Sequence, residues 1–121
     1  MSEYVIKIGT VQGRHEMPVD YYVFDEIDPN DVFNFPIIQG IAIGNVMRIF
    51  DREIPTLEES YGEKITIRIE LYVTGLTSAT ICVLNSISML TRKDSFRGEV
   101  RVYAMHYDRE TGEYCSQVVI L

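Results

Sequence analysis

Apolar and polar residues alternate most regularly in ITIRIELYV (65–73), where Ile65, Ile67, Ile69, Leu71 and Val73 fall on one side and Thr66, Arg68, Glu70 and Tyr72 on the other. A period of two held over nine residues predicts a β-strand. Then the period changes. In SATICVLNSISML (78–90), Ala79, Val83, Ile87 and Leu90 share one stripe at 100° per residue, which predicts an amphipathic helix with Thr77 as its N-cap. EVRVYAMHY (99–107) returns to period two, with Val100, Val102, Ala104 and His106 opposite Arg101, Tyr103, Met105 and Tyr107. DRETGEY (108–114) reads as a hairpin connection with Gly112 in the left-handed position, and SQVVIL (116–121) as the returning strand.

The first half is less regular. YVIKIGTVQ (4–12) predicts a first strand with Gly9 at a weak spot or bulge, and YYVF (21–24) a short aromatic strand. Between them GRHEMP (13–18) has turn chemistry, and Asp28–Pro29–Asn30 predicts a surface turn. PIIQGIAIGNVMRIF (36–50) holds six β-branched apolar residues and two glycines, a composition that favours a hairpin or bent pair of strands. DREIPTLEESYGEK (51–64) has turn and short-helix character.

A strand–helix–strand block predicts a right-handed crossover between parallel strands, followed by an antiparallel hairpin. Antiparallel strands are expected in the front half. The fold class that follows is α+β or α/β: a small mixed sheet with one principal helix, in a single domain over 1–121. One helix covers one face of such a sheet, yet several strands carry apolar residues on both faces. A homo-oligomer is therefore expected.

Composition sharpens this picture. The 121 residues are 46% hydrophobic and 24% charged, which argues for a packed core rather than disorder. A net charge of −7 disfavours long nucleic acid, whose phosphates need a basic track, but leaves room for a small anion held by a local nest of amides or an arginine. Two cysteines, Cys82 and Cys115, make no disulfide framework. No apolar run approaches the roughly 20 residues of a membrane span, so a soluble cytoplasmic protein without membrane partners is expected.

Candidate chemistry gathers in three places. At the strand-to-helix junction Thr74–Gly75–Leu76–Thr77–Ser78, free amides at the helix start and the hydroxyls of Thr74, Thr77 and Ser78 suit a phosphate or carboxylate, with Gly75 allowing close approach. The junction lacks the lysine of a P-loop and the glycines of a dinucleotide fingerprint. Around the hairpin, His106, Tyr107, Arg109 and Tyr114 offer an imidazole, a guanidinium that clamps phosphate, and rings that stack on a base. Each also has a plain structural account; His106 alternates with Val100, Val102 and Ala104 and so suits a core position. Arg92, Lys93 and Arg97 surround Phe96, a large apolar group that wants a pocket, a ligand ring or a partner chain. Asn85 lies off the apolar stripe of the helix, where solvent, ligand or another subunit could meet it, and Arg14 and His15 form a weaker pair. Two histidines 91 positions apart and two isolated cysteines give no metal-ligand spacing, no catalytic motif is present, and no cofactor is expected.

The combination of YVTGLTSATICVLN (72–85) and MHYDRETGEY (105–114) resembles patterns in small phage and prophage proteins. Among these it is similar to anti-defence proteins that sequester cyclic nucleotide immune signals, such as those that oppose Thoeris defence. The resemblance covers about the last third of the chain. It implies a non-catalytic homo-oligomer in the host cytoplasm that captures a cyclic ADP-ribose-type or cyclic oligonucleotide signal. Phosphates would then meet Gly75–Ser78 or Arg109, and bases would stack on Phe96, Tyr107 or Tyr114. Two alternatives stand beside it: a phosphodiesterase acting on such a signal with His106 as proton carrier, and a protein-binding or structural module.

Overall fold

A computed structural model describes residues 2–13, 16–54, 65–92 and 98–121. Among these residues five strands, β1 (Ser2–Val11), β2 (Tyr21–Phe24), β3 (Ile65–Tyr72), β4 (Glu99–Asp108) and β5 (Glu113–Val119), form one sheet in the order β2-β1-β3-β4-β5. Two helices, α1 (Phe35–Glu53) and α2 (Thr77–Thr91), join β2 to β3 and β3 to β4. The sheet is mixed, as the strand–helix–strand block and C-terminal hairpin predict: β3 and β4 pair in parallel and β4 and β5 antiparallel.

The front half departs from expectation. β1 pairs in parallel with both β2 and β3. A parallel neighbour joined without a helical crossover is feasible here because β2 is short and pairs only with the last third of β1, Ile8 opposite Tyr21 and Val11 opposite Phe24. The returning chain has only about 10 Å of strand to retrace. Its ends are pinned by the Asp20 amide on the Lys7 carbonyl and the Gln12 amide on the Phe24 carbonyl.

Residues 36–50 are helical rather than a pair of strands. Ile38, Ala42, Val46, Ile49 and Phe50 are the buried residues of α1 and lie close to the spacing of one helical face. Proline stands in its first turn, where the missing amide costs nothing. Tertiary burial of that face outweighs the strand preference of the isoleucines. The Asp28–Asn30 turn forms as expected, with the Asn30 amide donating to Asp28 Oδ1 and the Asp31 amide to the Asp28 carbonyl.

α1 packs on α2 and β2, and α2 also reaches β1. Gln39 locks the helices together: its Nε2 donates to the Cys82 carbonyl at 3.0 Å and to Ser86 Oγ at 2.9 Å. The core lies between this helical layer and one face of the sheet, with Ile6, Ile8, Ile67, Ile69, Leu71 and Val102 meeting Ile38, Ala42, Val46, Ala79, Val83 and Ile87. Among the described residues, no helix covers the opposite face, and none is long and apolar enough to cross a membrane.

Candidate functional site

The strand order places a break in the connections between β1 and β3. From β1 the chain moves to β2 on one side, whereas from β3 it moves to β4 on the other. In sheets of parallel strands, ligands bind outside the carboxyl ends of strands at such a point, because the diverging loops leave a crevice. At this point of the sheet stand the end of β1, at Thr10 and Val11, and the end of β3, leading into Thr74 and Gly75. The hydroxyls of Thr10 and Thr74 meet there, 3.3 Å apart.

The start of α2 follows directly. Leu76, not Thr77, occupies the N-cap position, so no side chain caps the helix, and no acidic residue stands in its first turn. The first helical amides have no intrahelical acceptor, and the dipole places partial positive charge there. The Ser78 hydroxyl is buried and has no hydrogen-bond partner among the described residues. Gly75 is exposed, and a Cβ added to it would meet nothing within 4 Å. Thr74, Gly75, Thr77 and Ser78 stand in succession at this helix start, and Thr10, which sequence reasoning missed, meets them through Thr74.

The hairpin residues reach the same end of the sheet and then separate. β4 runs on from Met105, opposite Tyr72, to Asp108, so the hairpin projects about 10 Å past the end of β3. Its turn is built by Asp108, whose Oδ1 accepts from the Glu110 amide and whose carbonyl accepts from the Gly112 amide, and by Gly112 at φ +73°. Arg109 stands exposed at the tip and forms no ion pair among the described residues. His106 is exposed rather than part of the core, since the helices do not extend over this end of the hairpin. Its Nε2 lies 2.9 Å from Gln117 Oε1.

Tyr107 and Tyr114 point to the uncovered face and join an aromatic cluster. The Tyr114 ring packs edge-on against Tyr72 at 4.8 Å and lies 5.3 Å from Tyr107. Tyr72 is only 4% exposed. Burial raises the phenol of Tyr72, with Glu70 and Tyr114 adding to it, and burial followed by Tyr107 and Tyr22 raises that of Tyr114. On the same face, Arg68 stacks 3.9 Å above the Tyr103 ring and pairs with Glu70 at 3.1 Å.

Asn85 is not part of this constellation. It lies about 12 Å along α2 from Thr77 and donates to Gln39 Oε1 at 3.2 Å. Phe96, Lys93 and Arg97, like Arg14 and His15, lie outside the described residues. Burial pushes the Cys82 thiol up, away from thiolate chemistry. Among the described residues, no group of three or more His, Cys, Asp or Glu could hold a metal ion. A shallow depression of about 460 Å³ lies at the other end of the sheet, lined by Val100, Arg101, Tyr103, Val118 and Ile120, remote from the crevice. No family model matches this chain, no curated protein matches it, and no solved structure does.

Proposed function

We propose that this protein binds a small nucleotide-like anion, without turning it over, at the crevice between the ends of β1 and β3. The observation that carries this reading is the buried hydroxyl of Ser78, without a partner among the described residues, beside the uncapped start of α2. Buried polar groups are normally satisfied, and an uncapped helix start favours negative charge. A phosphate answers both demands. The hydroxyls of Thr74 and Thr77 supply further donors around it, with the buried Thr10 behind Thr74 at 3.3 Å. Hydroxyls and amides hold an anion but transfer no proton at neutral pH, which suits capture better than cleavage.

The chain's net charge of −7 penalises a long polyanion far more than a ligand with one or two phosphates. Tyr107, exposed, and Tyr114, half-buried, provide aromatic surface at the same end of the sheet but on its uncovered face, so a base stacks there only when the ligand reaches around the sheet end from the phosphate. A cyclic ADP-ribose-type or cyclic oligonucleotide signal combines these two features, and sequestering it requires affinity alone.

Calorimetry with cyclic ADP-ribose isomers, ADP-ribose and cyclic dinucleotides, with inorganic phosphate and pyrophosphate as controls, tests the proposal. A saturable heat is expected for at least one nucleotide, which is recovered intact after denaturation. Absence of heat and of any thermal shift across the panel overturns it. Recovery of a hydrolysed product transfers the argument to a phosphodiesterase, with His106 as the first residue to replace.

A further inference from the structure

The backbone of β5 carries a second message, independent of any ligand. In an extended strand, the amide and carbonyl of one residue point to the same side, and the side alternates along the chain. The Met105 carbonyl accepts from the Val73 amide, so Arg101, Tyr103 and Met105 of β4 turn their polar groups toward β3. Val102, Ala104, His106 and Asp108 therefore turn theirs toward β5. Their opposite numbers are Val119, Gln117, Cys115 and Glu113, which use their own groups in return. Tyr114, Ser116 and Val118 are left with both amide and carbonyl directed away from the sheet, and Ile120, one residue beyond β5, is the next position of that alternation. Among the described residues, no strand pairs with this edge.

Edges of this kind are usually blunted by lysine, proline, a bulge or extreme shortness. β5 is seven residues long, and between Tyr114 and Leu121 there is neither a charged residue nor a proline. The side chains beside the edge are apolar and open to solvent: Val118 is 65% exposed and Ile120 93%. The other edge, β2, has only four residues.

We propose that β5 pairs antiparallel with the β5 of a second copy of this chain, about a two-fold axis at Gln117, joining two five-stranded sheets into one. This register alone engages all four outward residues of both copies: Tyr114 opposite Ile120 of the second copy, Ser116 opposite its Val118, and the reciprocal pairs. Each such pair exchanges two backbone hydrogen bonds. Ile120 then lies beside the tyrosine cluster of the second copy. Cys115 faces Val119 and Gln117 faces Gln117, so no like charges are opposed despite the net charge of −7 on each copy. A second copy is the fitting occupant because the edge is complementary to itself in hydrogen bonding, in charge and in apolar content.

Two variants of the full chain test the pairing. Ser116→Pro removes an outward amide and leaves every bond to β4 in place. Sedimentation should give a dimer for the parent and a twofold lower mass, the 13.9 kDa of one chain, for this variant, with an unchanged far-UV spectrum. Cys115→Ser/Gln117→Cys reads the register without proline. Opposed residues at a site without hydrogen bonds stand at disulfide distance, so oxidised glutathione should link two copies, whereas Cys115→Ser/Ser116→Cys should link far less. A parent that sediments as a monomer at high micromolar concentration overturns the proposal. So does a dimer that survives Ser116→Pro, or a Cys115→Ser/Gln117→Cys variant that stays dimeric yet forms no disulfide.

Discussion

The ring of Tyr22 occupies the space that a side chain at Gly9 would fill. A methyl group on Gly9 would stand 2.6 Å from Tyr22 Cδ1 and 2.7 Å from Cε1, with Met17 Cε at 3.1 Å. The Tyr22 hydroxyl is held in turn by the Met17 amide, which donates to it at 3.3 Å. Glycine at this position, which the sequence marks as a weak spot or bulge, sits in regular register opposite Tyr22 on one side and Tyr72 on the other. Its role is to let the edge strand lay an aromatic ring against its neighbour.

Gly9→Ala should therefore destabilise the fold by about 1–3 kcal/mol, the usual cost of forcing atoms into a filled space. A thermal melt would show this as a loss of about 3–5 °C for each kcal/mol. In a Tyr22→Ala background the same substitution should cost almost nothing, because the atoms it strikes are gone. Equal costs in both backgrounds would assign the glycine some other role.

Gln39 joins the two helices through three side-chain contacts, with the Cys82 carbonyl, Ser86 Oγ and Asn85 Nδ2. Gln39→Leu should lower stability by about 1–3 kcal/mol, since it removes donors from groups that lie inside the helical interface. Asn85→Ala should change stability by less than about 0.5 kcal/mol, as expected of an exposed position. It should also leave nucleotide affinity unchanged. Denaturant melts of both variants and calorimetry on the second check these outcomes; a large loss of affinity in Asn85→Ala would bring the ligand to this side of the helix.

How much of this was legible in the sequence depends on which force decides each element. β3, α2 and β4 each keep one period throughout, so the burial of one face and the local pattern agree. α1 did not read as a helix because Ile37, Ile38, Ile41, Ile43, Val46 and Ile49 have strand preferences and Gly40 and Gly44 weaken a helix. Its helical signal sat in the spacing of Ile38, Ala42, Val46 and Ile49, which only packing against α2 and the sheet makes decisive. The direction of β2 depends on where it joins β1, a register that no local pattern encodes. Thr74–Ser78 was visible as a loop leading into a helix. Its neighbour Thr10 was not, because 64 residues separate it from Thr74 and only the strand order brings them together.

Alkaline pH should weaken the fold through particular tyrosines. The phenol of Tyr21 is raised first by its hydrogen bond to Glu53, and those of Tyr72 and Tyr114 first by burial. A folded value above the unfolded value near 10 means that folding favours the protonated phenol. Its contribution is complete below pH 10 and is lost as pH rises through the folded values. Tyrosinate absorbance should show some of the eight tyrosines ionising later than the rest. Tyr72→Phe and Tyr114→Phe should each flatten the fall in melting temperature above pH 10, and an unchanged slope in both would contradict the assignment.

Thr77→Asp separates stability from ligand capture. Thr77 is exposed in the first turn of α2, which has no acidic residue of its own. A carboxylate there should stabilise the helix by about 0.3–1 kcal/mol through the dipole, most strongly at low ionic strength. The same charge should repel a phosphate and lower nucleotide affinity at least tenfold, about 1.4 kcal/mol. A higher melting temperature with weaker binding is the expected signature, measured by calorimetry and thermal melts on one preparation. Undiminished affinity would place the anion elsewhere.

The serines of α2 should respond to alanine with opposite signs. Ser86 Oγ is buried but fully engaged: it donates to the Cys82 carbonyl at 2.7 Å and accepts from Gln39 at 2.9 Å. Ser86→Ala should cost about 1–2 kcal/mol because it removes one of the two acceptors of the Gln39 amide and a donor to the Cys82 carbonyl. Ser78 Oγ is buried with no such partner among the described residues. An unpaired buried hydroxyl is a liability of about 1–3 kcal/mol, and alanine is the better helix former, so Ser78→Ala should leave the free protein as stable or raise its stability. With nucleotide present the order should reverse, since the parent gains a hydrogen bond that the variant lacks. Chemical denaturation with and without ligand measures both signs. A Ser78→Ala variant that is less stable without ligand would mean that the hydroxyl already has a partner within the protein, and the crevice would lose its strongest claim to an anion.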